Sequence, residues 1–109
     1  MERPGHENCP CMGTCPLNRA LGLIGGKWKM QILCALSNNG PTRYNRLKKT
    51  LDGVSNTVLA NALRELEEDG LVLRREYLEV PVRVEYEITA PGRALVPILD
   101  RLGDWSMGL

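Results

Sequence analysis

The polar side chains best suited to chemistry lie on one face of a predicted helix in the middle of the chain. Thr57, Asn61 and Arg64 recur at four- and three-residue spacing, so they share one side of that helix. Asn can make two hydrogen bonds to adenine, Arg can make two to guanine, and Thr can contact the methyl group of thymine. The pattern predicts a surface that reads base edges, although an ordinary solvated helix also turns polar residues outward. The opposite face is apolar and is expected to be buried through Leu59, Ala62, Leu63 and Leu66.

Positive charge is concentrated just before this helix. The formal net charge of the whole chain is only +1, so the placement of the charges is what carries information. No acidic residue interrupts the stretch 43–50, whose cations are suited to contact phosphates, the alternative being a solubilising charge run. With two arginines of a following hairpin, the predicted DNA contacts are Arg43, Arg46, Lys48, Lys49, Ser55, Asn56, Thr57, Asn61, Arg64, Arg75 and Arg83.

Local signals place these residues on two helices joined by a turn. A short helix is predicted over about 43–51, and Asp52-Gly53 is a tight-turn signal. Ser55 is a natural N-cap for the next helix, and Gly70 closes it. A short helix, a turn of a few residues containing Gly, and a second helix form a helix-turn-helix.

The remaining elements surround this unit. Apolar residues at helical spacing predict helices over 16–24 and 27–37 ahead of it. After it the period changes to two, so 71–78 and 82–88 are predicted to form a hairpin with one buried face. A last helix follows, capped by Thr89. The predicted fold class is α+β, a MarR-like winged helix-turn-helix with the order helix, helix, helix, helix, β-hairpin, helix.

Two uses are open for the arginines of the hairpin. Arg83 lies near the bend, where it can enter a minor groove or contact the flanking backbone. Arg75 and Arg83 can instead pair with carboxylates across the strands, which is a purely structural use. The carboxylates within reach are Glu76, Glu85 and Glu87.

Length and composition predict one folded domain with a short extension. The 109 residues are 43% hydrophobic, which is enough for one aliphatic core that contains no Phe. The polar segment 1–14 is expected to be a flexible N-terminal arm, and 15–109 the DNA-binding and dimerisation domain. Neither a secretory signal nor a membrane-spanning run is visible, so a cytoplasmic location without membrane association is expected.

The cysteines crowd into the first third of the chain. Cys9, Cys11 and Cys15 have the spacing C-x-C-x3-C, with Cys34 further on. Structural zinc sites have paired C-x2–4-C ligands, so the metal signal is weak and neither a metal nor another cofactor is expected. Cys15 lies at the predicted start of the first helix, where backbone N–H groups favour a thiolate. Cys15, together with Cys9 and Cys11, is therefore the redox candidate, and idle thiols are the alternative.

Several short motifs together resemble the HxlR family of winged helix-turn-helix regulators, which is related in architecture to MarR-type proteins. The resemblance covers about 15–105 and is carried by Cys15-Pro16, Ile24-Gly25-Gly26-Lys27-Trp28, Arg64-Glu65-Leu66-Glu67, Asp69-Gly70-Leu71-Val72, Val80-Pro81-Val82-Arg83-Val84-Glu85-Tyr86, Thr89 and Asp104-Trp105.

This resemblance implies a homodimer that binds a pseudo-palindromic DNA operator, with the first and last helices forming the dimer interface. It also implies, as in some members, a response to oxidants or electrophiles through Cys15. The apolar stripe at the chain end independently suits an interface, the alternative being packing on its own core. The predicted interface residues are Leu17, Leu21, Leu95, Ile98, Leu99, Leu102 and Trp105.

Other classes of function are weaker on this sequence. A protein-interaction module could use the same fold without reading DNA, and a small ligand rather than thiol chemistry could be the signal. No C-x-x-C beside a βαβ unit, phosphate-binding loop or His-centred constellation is visible. The sequence therefore predicts a protein without enzymatic activity.

Overall fold

Five helices and a three-stranded antiparallel sheet make up residues 15–109, the part of the chain that the computed structural model describes. The predicted flexible arm, 1–14, lies outside the described residues, as do Cys9 and Cys11. The elements are α1 (Pro16–Ile24), α2 (Lys27–Asn39), β1 (Thr42–Arg43), α3 (Tyr44–Thr50), α4 (Asn56–Glu68), β2 (Val72–Tyr77), β3 (Arg83–Ile88) and α5 (Ala90–Met107). This order confirms the predicted α+β winged helix-turn-helix and adds one short strand.

The ends of α4 follow from residues within one turn of them. The Ser55 hydroxyl oxygen accepts a hydrogen bond from the Val58 N–H at 3.1 Å, which confirms the predicted N-cap. At the other end Gly70 has φ +78°, a left-handed conformation that favours glycine. The Leu71 N–H then reaches back to the Leu66 carbonyl at 2.9 Å, which closes a Schellman motif. Both ends of the helix are thereby fixed by local sequence.

The sheet has the order β1-β3-β2. The hairpin register runs from Val72 opposite Ile88 to Tyr77 opposite Arg83. Strand β1, which was not predicted, adds Thr42 opposite Tyr86 on the other edge of β3. A two-residue strand shows no periodicity, so only its tertiary pairing reveals it.

The hairpin differs from the prediction of one fully buried face. In β3 only Ile88 is buried, whereas Val84 and Glu85, on opposite faces, are both half-buried. Val82, which alternation would place on the same face as Val84 and Ile88, is 56% exposed. Among the described residues no second layer packs on the outer half of the hairpin. The alternation of apolar and polar residues along β3 is therefore not matched by an alternation of buried and exposed side chains.

The hydrophobic core lies between α2, α3 and α4. Leu47 of α3 and Leu51 after it are buried, and Tyr44 is half-buried. None of the apolar residues of α1 is buried, so that helix contributes little to this core. The largest fully buried apolar side chains are Ile32, Leu33, Leu36, Leu47, Leu59, Leu63 and Leu66.

The start of α5 is packed tightly against the end of α4. The Thr89 hydroxyl donates to the Gly70 carbonyl at 2.7 Å and accepts from the Gly92 N–H at 3.2 Å, which confirms Thr89 as the cap. A Cβ on Gly92 would collide with the carbonyl oxygen of Leu71 and lie 2.8 Å from Cγ1 of Ile88. Only glycine therefore allows this close approach. The last helix then continues through Pro97 to Met107.

Candidate nucleic-acid interface

Helix α4 presents the predicted polar face to solvent. Thr57, Asn61 and Arg64 are all exposed, and the apolar stripe on the other side is buried. Arg64 donates from Nη2 to Oδ1 of Asn61 at 3.2 Å, and its Nη1 lies 3.9 Å from Glu68. These exposed contacts are weak. The Asn61 amide and the Arg64 guanidinium can therefore give up their mutual hydrogen bond and bond to base edges at little cost in free energy.

The turn before α4 is held by a tyrosine of α3. The Tyr44 hydroxyl lies 3.1 Å from the carbonyl oxygen and 3.2 Å from Oδ1 of Asn56, at the first turn of α4. Ser55, whose oxygen caps the helix, keeps its own hydrogen available as a donor. Asn56 and Ser55 are both exposed. The sequence predicted both as DNA contacts. In the structure Ser55 caps α4, and Asn56 joins the first turn of α4 to Tyr44 of α3.

The cations on and beside α3 form no ion pairs in the part of the chain that the structure describes. Within residues 15–109 no ion pair involves Arg43, Arg46, Lys48 or Lys49. Lys48 is half-buried and the other three are exposed. Four positive charges therefore lie on or beside α3, in the segment that precedes α4, and no carboxylate of residues 15–109 forms an ion pair with them.

The wing, defined here as β2, β3 and the turn between them, is different because its arginines are paired. Arg75 Nε lies 2.8 Å from Glu87 Oε1, and this hydrogen bond raises the pKa of Arg75. Arg83 lies 3.0 Å from Glu79 and 3.5 Å from Glu85, and its guanidinium is 4.1 Å from the centre of the Tyr77 ring.

Of the two uses that the sequence left open for these arginines, ion pairing within the wing is the one present in this structure. Arg75 pairs with Glu87 across the strands, whereas the partners of Arg83 lie in the turn and on its own strand. Arg83 is also half-buried, with 28% of its side chain exposed. A contact between Arg83 and DNA would have to break two ion pairs and a ring contact.

The first turn of α2, which sequence analysis did not assign to the site, lies beside α4. A cavity of about 230 Å³ separates them and is lined by Trp28, Lys29, Asn61 and Glu65 among others. Lys29 forms an ion pair with Glu65 at 2.6 Å. Lys27 stacks on the Trp28 ring at 4.6 Å. Sequence analysis predicted a helix over 27–37 here but did not link its first turn to the site, and the motif 24–28 entered through family resemblance alone.

Apolar side chains remain exposed on α1 and α5. Leu17 and Leu21 of α1 are about half exposed, and Ile98, Leu102 and Trp105 of α5 are 61%, 51% and 65% exposed. Two other predicted interface residues are less accessible, since Leu95 is half-buried and Leu99 is buried. A groove of about 330 Å³ between α2 and α5 is bordered by Leu99, Leu102 and Trp105, with Cys34 on its α2 side.

The cysteine environments are now defined for two of the four residues. Cys15 is the N-cap residue of α1, as the sequence predicted, but it is only 1% exposed. Burial raises the pKa of Cys34, and the nearby charge of Asp100 adds to the effect. No three His, Cys, Asp or Glu side chains in 15–109 are grouped closely enough to hold a metal ion. No helix in that range has the length and hydropathy needed to cross a membrane.

A helix-turn-helix followed by a hairpin wing, with a polar face exposed on the second helix, defines the class of winged helix-turn-helix transcriptional regulators. Within this class, a family model for HxlR-like helix-turn-helix proteins matches residues 23–109. The chain belongs to the HxlR family of transcriptional regulators.

Individual relatives agree with this assignment. An HTH-type transcriptional regulator of Halalkalibacterium halodurans is 44% identical over 92 residues, covering 84% of this chain and 81% of the relative. The crystal structure of the HTH-type regulator ytcD superposes with a TM-score of 0.82 at 40% identity, covering 89% of this chain and 96% of that one. The redox regulator HypR in its oxidized form has a TM-score of 0.79 at 37% identity, covering 87% and 97%.

Proposed function

We propose that this protein is a cytoplasmic, homodimeric, sequence-specific DNA-binding regulator that inserts α4 into the major groove. The observation that carries this proposal is the exposed face of Thr57, Asn61 and Arg64 beside cations that have no carboxylate partner in the described chain. The three side chains occupy the first two-thirds of α4, the part of a recognition helix that reaches base edges. Asn61 and Arg64 supply the donors and acceptors that distinguish adenine and guanine from other bases.

The phosphate contacts are assigned to the segment before α4. Arg43, Arg46, Lys48 and Lys49 attract the duplex and set its register without reading sequence. The Ser55 hydroxyl can donate to a phosphate while its oxygen caps α4. The wing contributes less charge to binding, because the ion pairs of Arg75 and Arg83 already satisfy them.

The dimer is proposed from the apolar faces of α1 and α5. Ile98, Leu102 and Trp105 follow at four- and three-residue spacing and form one exposed stripe on α5, and α1 has no buried residue at all. Packing two such stripes about a two-fold axis removes this apolar surface from water. The two copies of α4 would then face successive major grooves, about 34–36 Å apart along the duplex.

Selection of tight-binding sequences from a random duplex pool tests the DNA proposal. The expected product is a pair of inverted half-sites whose centres are about one helical turn apart. Arg64→Ala is expected to weaken binding to the selected duplex by about 1–3 kcal/mol and to relax the preference at one base position. A dimer that binds every duplex with equal strength, or none at low salt, would instead favour a protein-interaction module on the same fold.

Light scattering on wild type and two variants of α5 tests the dimer. Trp105→Glu places a carboxylate in the exposed apolar stripe and is expected to shift the protein to monomers. Arg93→Glu is the matched control, because 100° per residue puts position 93 on the other side of the helix from the stripe. Equal masses for all three proteins would contradict the assigned interface.

Oxidant sensing through Cys15 is a second candidate, favoured by its position as the N-cap of the interface helix α1 and by the likeness to a redox regulator. With 1% exposure, Cys15 becomes reachable only when α1 moves, which would link thiol chemistry to the dimer. Diamide takes two hydrogens from two thiols, is reduced to the hydrazine, and leaves one S–S bond between them. Mass spectrometry should then find Cys15 in a disulfide, and Cys15→Ala should keep its DNA affinity after treatment. Equal loss in wild type and Cys15→Ala would reject this candidate.

Sensing of a small ligand has less support in the described chain. The cleft between α1 and α5, lined by Ala20, Ile24 and Leu95 among others, has a volume of about 160 Å³. Pockets for drug-sized ligands usually have volumes of about 300–1,000 Å³, so this cleft is small for one. The groove of about 330 Å³ between α2 and α5 reaches that range, but it is bordered by Leu102 and Trp105, which we assign to the dimer interface.

A further inference from the structure

One ion pair joins the recognition helix to the helical body. Lys29 Nζ on α2 lies 2.6 Å from Glu65 Oε1 on α4. Only 11% of the Lys29 side chain is exposed, whereas 47% of the Glu65 side chain is. Among the ion pairs of residues 15–109 it is the only one that links two helices, since the others lie within α4 or within the wing.

This ion pair lies on the flank of α4 where apolar packing is incomplete. The cavity of about 230 Å³ between α2 and α4 is bordered by Lys29, Asn61 and Glu65. Asn61 and Glu65 are one helical turn apart, so the anchored residue and a base-reading residue share one row of the helix. The ion pair therefore restrains α4 on the side where close-packed side chains do not.

The restraint matters because base reading is sensitive to rotation of the helix. The tip of an extended Arg lies roughly 8 Å from the axis, so a rotation of about 10° moves it by about 1.4 Å. A hydrogen bond to a base edge tolerates a change of only about 0.5 Å in donor–acceptor distance. A small rotation of α4 would thus remove base contacts while leaving long, flexible cations in reach of phosphates.

The electrostatics keep the pair ionised. The hydrogen bond from Lys29 and its positive charge lower the pKa of Glu65, so the carboxylate is charged at neutral pH. Lys29 is directed at Glu65 and is nearly buried, which leaves its ammonium group poorly placed to contact a phosphate.

We propose that Lys29 is a positioning residue for sequence reading: through Glu65 it sets the rotation of α4, and with it the discrimination between the operator and other DNA. This inference rests on the proposed function, since it requires that α4 reads bases. It assigns Lys29 and Glu65 to specificity rather than to general affinity for DNA.

The test compares affinities for the selected duplex and for a scrambled duplex of equal length and composition. Glu65→Gln and Lys29→Met are expected to weaken binding to the selected duplex at least tenfold and to change binding to the scrambled duplex less than threefold. The double variant should lose no more discrimination than the worse single variant, because both remove the same link. Lys29→Arg keeps a cation and should recover discrimination to within threefold of wild type.

Two controls separate positioning from other roles. Glu67→Gln makes the same chemical change at an exposed position of α4 and should leave discrimination unchanged. The salt dependence of binding should also be unchanged in Lys29→Met, because a lost phosphate contact would flatten it. Glu65 is half exposed, so Glu65→Gln is expected to fold even if Lys29→Met, a change at a nearly buried residue, does not. Urea unfolding verifies that each variant is folded.

The outcomes distinguish the proposed function from the positioning role of Lys29. If wild type shows no preference for any duplex, the proposed function is wrong and this inference falls with it. If wild type discriminates and Glu65→Gln discriminates equally well, the function stands and the positioning role is overturned. A parallel loss for both duplexes, or an equal effect of Glu67→Gln, would also overturn it.

Discussion

Replacing Lys49 by Gln is expected to flatten the salt dependence of DNA binding, whereas replacing Arg75 by Gln is not. The two residues carry the same charge and both are exposed. They differ in their partners: no ion pair in 15–109 involves Lys49, but Arg75 lies 2.8 Å from Glu87. Only an unpaired cation is expected to neutralise a DNA phosphate on binding and so release the counterions condensed on the DNA.

The magnitude follows from the number of unpaired cations. Arg43, Arg46, Lys48 and Lys49 give a dimer about eight phosphate contacts, so the slope of log K against log salt should be about −7. Raising salt fourfold, from about 50 to 200 mM, would then weaken binding by roughly 10⁴. Lys49→Gln removes one contact from each protomer and should bring the slope to about −5.

Fluorescence anisotropy titrations of a labelled duplex at several salt concentrations measure these slopes directly. Arg75→Gln should leave the slope within experimental error of wild type while removing the cross-strand ion pair. If Arg75→Gln flattens the slope as much as Lys49→Gln does, the wing binds phosphates despite its ion pairs. A wild-type slope weaker than about −2 would refute the whole assignment of the α3 cations.

Three further predictions concern stability and thiol chemistry. Gly92→Ala should destabilise the protein by about 1–3 kcal/mol in urea unfolding, because the added Cβ would collide with the Leu71 backbone. Gly103→Ala is the control on the same helix: its added Cβ would have no atom within 4 Å, so the change should stabilise the protein by about 0.5–1 kcal/mol. The stability difference between wild type and Glu65→Gln should be complete at pH 7. It should shrink once pH falls below the ordinary Glu value of 4.5 towards the lowered pKa of folded Glu65, because the unfolded chain binds the proton first. A difference unaffected by acid would exclude the ion pair as its source. Iodoacetamide should alkylate Cys34 more slowly at pH 8 than it alkylates glutathione, because burial and Asp100 raise the pKa of that thiol, and rapid labelling would contradict this environment.

Sequence alone predicted those features that depend on residues close together in the chain. The caps made by Ser55 and Thr89 use partners three residues away, and the closure of α4 needs only a glycine at 70. The exposed face of α4 followed from helical geometry, because the opposite apolar stripe had to be buried. These parts of the fold and of the candidate site could therefore be read without tertiary information.

Features that depend on distant partners could not be predicted in this way. Strand β1 exists because Thr42 pairs with Tyr86, and no local pattern marks two residues as a strand. The Lys29–Glu65 pair joins two helices whose relative placement is set by the whole core. For Arg75 the sequence offered several carboxylates. The strand register places Glu85 directly opposite it, yet the ion pair is made with Glu87, which lies on the diagonal, so only the folded structure identifies the partner.

The distribution of paired and unpaired charge gives the two halves of the interface different tasks. Within 72–88 three arginines accompany four glutamates, so the wing has no net positive charge to attract DNA. The segment 43–50 has four cations and no acid. On the proposed function, attraction to the duplex would come from the cations of α3, and α4, which is contacted by Tyr44 and Lys29, would enter the major groove. Because the arginines of the wing already form ion pairs with its glutamates, its shape, more than its charge, would limit how the duplex lies against the protein.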